Sequence, residues 1–131
     1  MLAVDTNVLV RFLVVDDVGQ SERAAKLVTK AIDRGEQLFV SDVVLCEMVW
    51  VLRASYGFGR SEIADVLQRL LKATHLTFGS SGALKRAAEA YVRGRGDFSD
   101  YVIREHARAA GCERVATFDR ALLREDHFAE P

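Results

Sequence analysis

Short apolar β-type runs alternate along the chain with longer stretches of helical periodicity. "LAV" at 2–4 predicts a first strand, and "TNVLVRFLV" at 6–14 a helix with Thr6 as its N-cap. "SERAAKLVTKAIDRG" predicts a helix over 21–35, capped by Ser21 and stopped by Gly35. "QLFVS" is a second strand, and "DVVLCEMVWVLRASYG" a helix from 42 to about 56, ended by Gly57. A further amphipathic helix runs over 61–73 with Ser61 as cap, followed by the strand "HLTF" at 75–78. "SGALKRAAEAYVRGRG" is a helix running into a glycine-rich turn, and "DFSDYVIREHARAAG" a helix over 97–111 stopped by Gly111. "RVATF" is the fourth strand, "DRALL" a short helix, and the tail offers an edge strand. This alternation predicts an α/β fold with a mainly parallel sheet of four to five strands and helices on both faces.

Composition narrows this. The 131 residues suit one ordinary domain, 1–131, and half of them are hydrophobic, so a real core is expected. The formal net charge of −1 means that a nucleic-acid partner must be met by a local basic patch or through metal ions. Cys46 and Cys112 lie far apart without metal-type spacing and suggest reduced, buried thiols in a cytoplasmic protein. No signal-peptide pattern opens the chain, and the longest apolar run is about half of what spans a bilayer. His75, His106 and His127 are scattered and make no metal set.

The acids carry the chemical signal. In open parallel sheets, sites form beyond the carboxyl ends of the strands. Asp5 follows "LAV", Asp119 follows "RVATF", the helix bearing Glu47 follows "LFVS", and Asp97 and Asp100 open the helix before the last strand. Parallel strands would gather these carboxylates at one sheet edge. There they repel one another unless cations are present, and hard divalent ions such as Mg²⁺ or Mn²⁺ suit oxygen ligands. Each acid has a structural reading too. Asp5 can cap the first helix, Asp97 can cap its own with Asp100 three residues on, Asp100 can pair with Arg104, and Asp119 can cap the last helix.

Glu47 interrupts "VVLCEMVWVL", in which the other nine residues are apolar. At about 100° per residue, Asp42 and Arg53 fall within about 20° of each other and Glu47 about 120–140° away. Glu47 is therefore expected among apolar neighbours, as a buried charge that needs an arginine or lysine, a hydrogen-bond network or a metal ion to offset it. The structural alternative is a Glu on a packed helix that reaches water.

"AVDTNVLVRFL", "VSDVVLCEMVWVL", "DFSDYVIREHARAAGC" and "VATFDRAL" together resemble, in order, the blocks of PIN-domain ribonucleases, and most of all VapC-type toxins of bacterial toxin–antitoxin pairs. The resemblance implies a metal-dependent endoribonuclease. Asp5 and Asp100 would hold the principal Mg²⁺, with Mn²⁺ able to substitute, and Glu47 and Asp119 would complete the acidic pocket directly or through water. Asp97 is an additional acid in members with DFxD and is open to both ligand and cap roles. Thr6, Asn7 and Thr117 match groups that orient the carboxylates. Cleavage would leave 5′-phosphate and 3′-hydroxyl ends. The implied partners are RNA, a small antitoxin protein and a second copy of the chain. Arg104 and Glu105 stand where the family often has small residues, which leaves the surface there open. Lys85, Arg86, Arg93 and Arg95 are candidate phosphate contacts, each equally readable as part of a solvated helix face. Two rivals remain. One is a PIN-like binding protein without catalysis. The other is a receiver-like domain, against which stands Arg120 where a lysine would be needed.

Overall fold

The structure, a computed structural model, describes residues 1–131. The chain divides into two compact units, residues 1–79 and 80–131.

The first unit is built on a parallel three-stranded sheet, β1 (Leu2–Ala3), β2 (Leu38–Val40) and β3 (Leu76–Phe78), in that order. Leu2 pairs with Leu38 and Leu38 with Leu76, so the carboxyl ends of all three strands lie at the same edge. Four helices connect and cover them: α1 (Thr6–Leu13), α2 (Val18–Arg34), α3 (Asp42–Ala54) and α4 (Arg60–Lys72). Leu38, Val40, Leu45, Met48, Leu52, Ile63 and Leu67 form the core, each essentially without exposure. Burying one such side chain contributes about 1.5–3 kcal/mol, which is what holds these short strands under their helices. α1 packs on both α2 and α3.

Three caps differ from expectation. Asp5, not Thr6, caps α1, because its carboxylate already accepts the Thr6 N–H at 2.7 Å. α2 starts one turn early at Val18, since Asp17 accepts the Gln20 N–H; Ser21 is buried inside the helix and donates to the Val14 carbonyl. α4 is capped by Gly59, whose N–H is taken by Glu62 Oε1 at 3.1 Å. α3 ends at Ala54. Gly57, at φ +68°, closes it by letting the Phe58 N–H return to the Leu52 carbonyl.

The second unit packs α5 (Ser81–Arg93) on α6 (Phe98–Ala109). It also pairs β4 (Val115–Ala116) in parallel with β5 (Phe128–Ala129), the edge strand expected of the tail. The five strands thus form two parallel ladders, of three and of two strands. "DRALL" does not make an α-helix; only Leu122–Arg124 coils, as a single 3₁₀ turn, because the chain must return within a few residues to β5. Tyr91, Phe98 and Tyr101 fill this core, with Tyr91 and Phe98 edge-to-face at 6.2 Å. No helix of the chain is long and apolar enough to cross a membrane. Cys112 is exposed and Cys46 half-buried, so neither thiol is the core residue expected. Burial, helped by the Asp42 charge, pushes the Cys46 thiol up to about 11 and keeps it protonated at neutral pH.

Candidate active site

In the first unit, Asp5 and the start of α3 stand at the carboxyl edge of the sheet. Thr6 is buried, and its hydroxyl donates to Glu47 Oε2 at 2.9 Å. The residue that follows Asp5 therefore holds Glu47 across a separation of 41 residues. Asn7, expected to orient an acid, is exposed and instead lines a cleft of about 390 Å³ with Arg11 and Arg23.

Glu47 itself corrects the sequence reading. It is exposed, not buried. The reason lies in its helix face: Val43 and Trp50, four residues before and three after, are 66% and 69% exposed. The apolar run of α3 is not buried all round; its core side is Leu45, Met48, Val49 and Leu52, and Glu47 projects with Val43 and Trp50 on the other. Its charge thus needs no buried partner.

In the second unit, Asp97 is the N-cap of α6, and its N–H is accepted by Asp100 Oδ2 at 2.8 Å. Asp119 turns the chain after β4: its Oδ1 accepts from the Ala121 N–H at 2.9 Å, and Thr117 Oγ1 accepts the Asp119 N–H at 3.1 Å. Burial pushes the Asp100 carboxyl up. The hydrogen bond from Asp97 opposes this, and the negative charges of Asp97, Asp119 and Glu125 reinforce it. Glu125 was missed from sequence, where the aperiodic tail gives no sign that it returns to α6.

Arg104 does not pair with Asp100. It binds Glu105 at 3.1 Å and lies over the rings of Tyr101 and Phe128. Glu105, at a position where the sequence left the local surface undecided, is 1% exposed and is bound by Arg86 at 2.9 Å as well as by Arg104, with Arg108 at 3.6 Å. Burial raises this carboxyl, but the hydrogen bonds from Arg86 and Arg104 and the charges of Arg104 and Arg108 outweigh it and hold it below the usual value. Arg86 is thereby removed from the set of free phosphate contacts.

The four principal acids share one trait. Each commits one oxygen to positioning: Asp5 Oδ1, Glu47 Oε2, Asp100 Oδ2 and Asp119 Oδ1. The second oxygen of each is left for another partner, and all are hard donors of the kind Mg²⁺ or Mn²⁺ prefers. No three Asp, Glu, His or Cys side chains form a ready-made metal cage. Mg²⁺ does not require one, because it keeps several waters and takes one or two carboxylates from the protein. The donor chemistry therefore fits a divalent cation.

Comparison with known proteins agrees with this pattern. The sequence is similar to a VapC ribonuclease of Aquifex aeolicus (strain VF5), 27% identical over 120 residues that cover 92% of this chain and 88% of that protein. The family model described as the PIN domain matches residues 2–127, a span that includes every acid named above. On that match, the chain belongs to the PIN domain family.

Proposed function

We propose that the chain is a divalent-metal-dependent endoribonuclease, acting as the toxin of a toxin–antitoxin pair. The observation that carries the reading is the half-committed state of Asp5, Glu47, Asp100 and Asp119, each fixed by one oxygen and open at the other. Membership of the PIN family and the likeness to a VapC ribonuclease support it.

On this reading, Asp5 and Asp100 are the principal ligands of Mg²⁺, for which Mn²⁺ can substitute, and Glu47 and Asp119 assist directly or through water. When bound, the cation supplies a more acidic water and charge neutralisation at the scissile phosphate. The rest is the work of the chain. Thr6 fixes one oxygen of the exposed Glu47, the Thr117 hydroxyl and the Ala121 N–H fix the turn at Asp119, and the α6 N-terminus fixes Asp100. Asp97 serves as cap. The same reading brings a small antitoxin protein that covers the acids and a homodimeric state.

Asp5→Asn tests it. The variant keeps the cap acceptor and should fold normally, while Mg²⁺-dependent cleavage of RNA is abolished. Cleavage equal to wild type would sink the assignment. RNA binding by the wild type with no cleavage under any divalent ion would place the chain among non-catalytic PIN proteins.

A further inference from the structure

A cleft of about 530 Å³ opens in the second unit, lined by Arg93, Arg95, Arg120 and Arg124, with Gly94 in its wall and Glu125 as its one acid. All four arginines are exposed, and none forms an ion pair with an acid of its own unit. They differ in this from Arg86, Arg104 and Arg108, which are tied to Glu105. In a chain of net charge −1, four unengaged guanidinium groups around one cleft are a marked local excess.

The cleft is also built. The Tyr101 hydroxyl accepts the Gly96 N–H at 2.9 Å and donates to Glu125 at 2.8 Å, tying the glycine turn to the 3₁₀ segment. A Cβ on Gly94 would collide with the Tyr101 hydroxyl oxygen, and one on Gly96 would stand 2.6 Å from Leu122 Cδ2. Only glycines allow the turn to lie this close, and that closeness sets Arg93 and Arg95 beside Arg120 and Arg124. Glu125 accepts from the hydroxyl of Tyr101, the residue that follows Asp100 in α6, so the cleft adjoins the helix start that carries Asp97 and Asp100.

We propose that this cleft is the subsite for the phosphate backbone of the RNA substrate. The proposal rests on the ribonuclease reading above. A phosphodiester approaching the acids is repelled by them, and arginine offers the planar, bidentate donors that hold phosphate oxygens. Sequence proximity alone put Lys85, Arg86, Arg93 and Arg95 forward; the fold keeps the last two and adds Arg120 and Arg124.

The test uses the full chain in an Asp100→Asn background, so that binding is read without cleavage. Arg93→Gln, Arg95→Gln, Arg120→Gln and Arg124→Gln are combined, and fluorescence anisotropy follows a short labelled oligoribonucleotide. Affinity should fall at least about tenfold at low salt, and the slope of log affinity against log salt should shrink by about 0.7 for each phosphate no longer neutralised. In the Asp100 wild-type background, KM should rise with kcat little changed. The matching four lysine substitutions should keep the salt slope, a rescue that a folding defect would not give. Unchanged affinity and slope in the glutamine variant overturn the subsite while leaving the nuclease reading intact. Unchanged RNA binding with lost binding of poly-glutamate would overturn it in favour of an acidic protein partner. Lost RNA binding in a chain whose wild type never cleaves would support the cleft as an RNA site and defeat the nuclease reading alone.

Discussion

Asp100 and Glu105 lie five residues apart on one helix and meet opposite surroundings. Glu105 is the more buried, yet three arginines converge on it and its carboxyl is held low. Asp100 is only partly buried, yet its charged neighbours are Asp97, Asp119 and Glu125, and its carboxyl is pushed up, first by burial and then by them. Burial of a charge therefore does not by itself set the direction in which a carboxyl of this helix is shifted. A buried carboxylate with its cations supplied from within is architecture. A carboxylate whose charged neighbours are other acids fits the proposed cation site.

Substitution at Asp100 should break this contrast most severely. Asp100→Asn keeps an oxygen for the Asp97 N–H but removes the charge, and cleavage should drop on the order of 10³-fold. On the proposed reading Mg²⁺ should raise the melting temperature of the wild type by binding the folded state, and the variant should lose that rise, as thermal unfolding with and without the ion would read. A variant as active as wild type would mean that Asp100 is only the reciprocal cap of Asp97.

Glu105→Gln should do the reverse. It leaves Arg104, itself largely buried, facing a neutral amide, and should cost about 3 kcal/mol in denaturant unfolding. That is the low end for a broken buried pair, because Arg86 and Arg108 are half-exposed and can rehydrate. Cleavage by the folded fraction should persist. Loss of activity without loss of stability would move Glu105 from architecture to the site.

A smaller effect is expected at the bridge between the regions. Tyr101→Phe removes the hydroxyl that accepts from the Gly96 N–H and donates to Glu125, and should cost about 1 kcal/mol in the same unfolding assay. Because Glu125, already in the cleft wall, then loses its Tyr101 partner and can pair with the arginines, RNA affinity should fall with stability. A stability loss alone would separate the turn from the cleft.

The strand and helix order was legible because each element of the chain carries its own period, and the parallel pairing followed from that alternation. What could not be read was which side of an apolar helix is covered. Glu47 was assigned to the interior because its neighbours in sequence are apolar; Val43 and Trp50 are apolar and exposed, and only the packing of Leu45, Met48 and Leu52 tells the two sides apart. The buried acid was Glu105, hidden behind a sequence, "IREHAR", that reads as a charged surface. Its partner Arg86 is 19 residues away, beyond the reach of any local spacing rule. Caps failed for a related reason. Asp5, Asp17 and Gly59 each precede the Ser or Thr expected to serve, and the choice among adjacent candidates depends on where the helix must begin to bury its core face.

The finest test of the contrast is pH. A carboxyl whose folded pKa lies below its unfolded value adds stability that is fully present above the unfolded pKa and is lost as pH falls through the folded one. Glu105 is such a group: its burial acts against it, and Arg86, Arg104 and Arg108, the cations that face it from α5 and α6, outweigh that burial. The difference in unfolding free energy between wild type and Glu105→Gln should thus be flat near neutrality. It should narrow only below about pH 4.3, the ordinary Glu value. Narrowing that begins well above it would mean that burial dominates the arginines. Glu105 would then share the condition of Asp100, and the difference between an acid with its own cations and one that needs a ligand would no longer divide this helix.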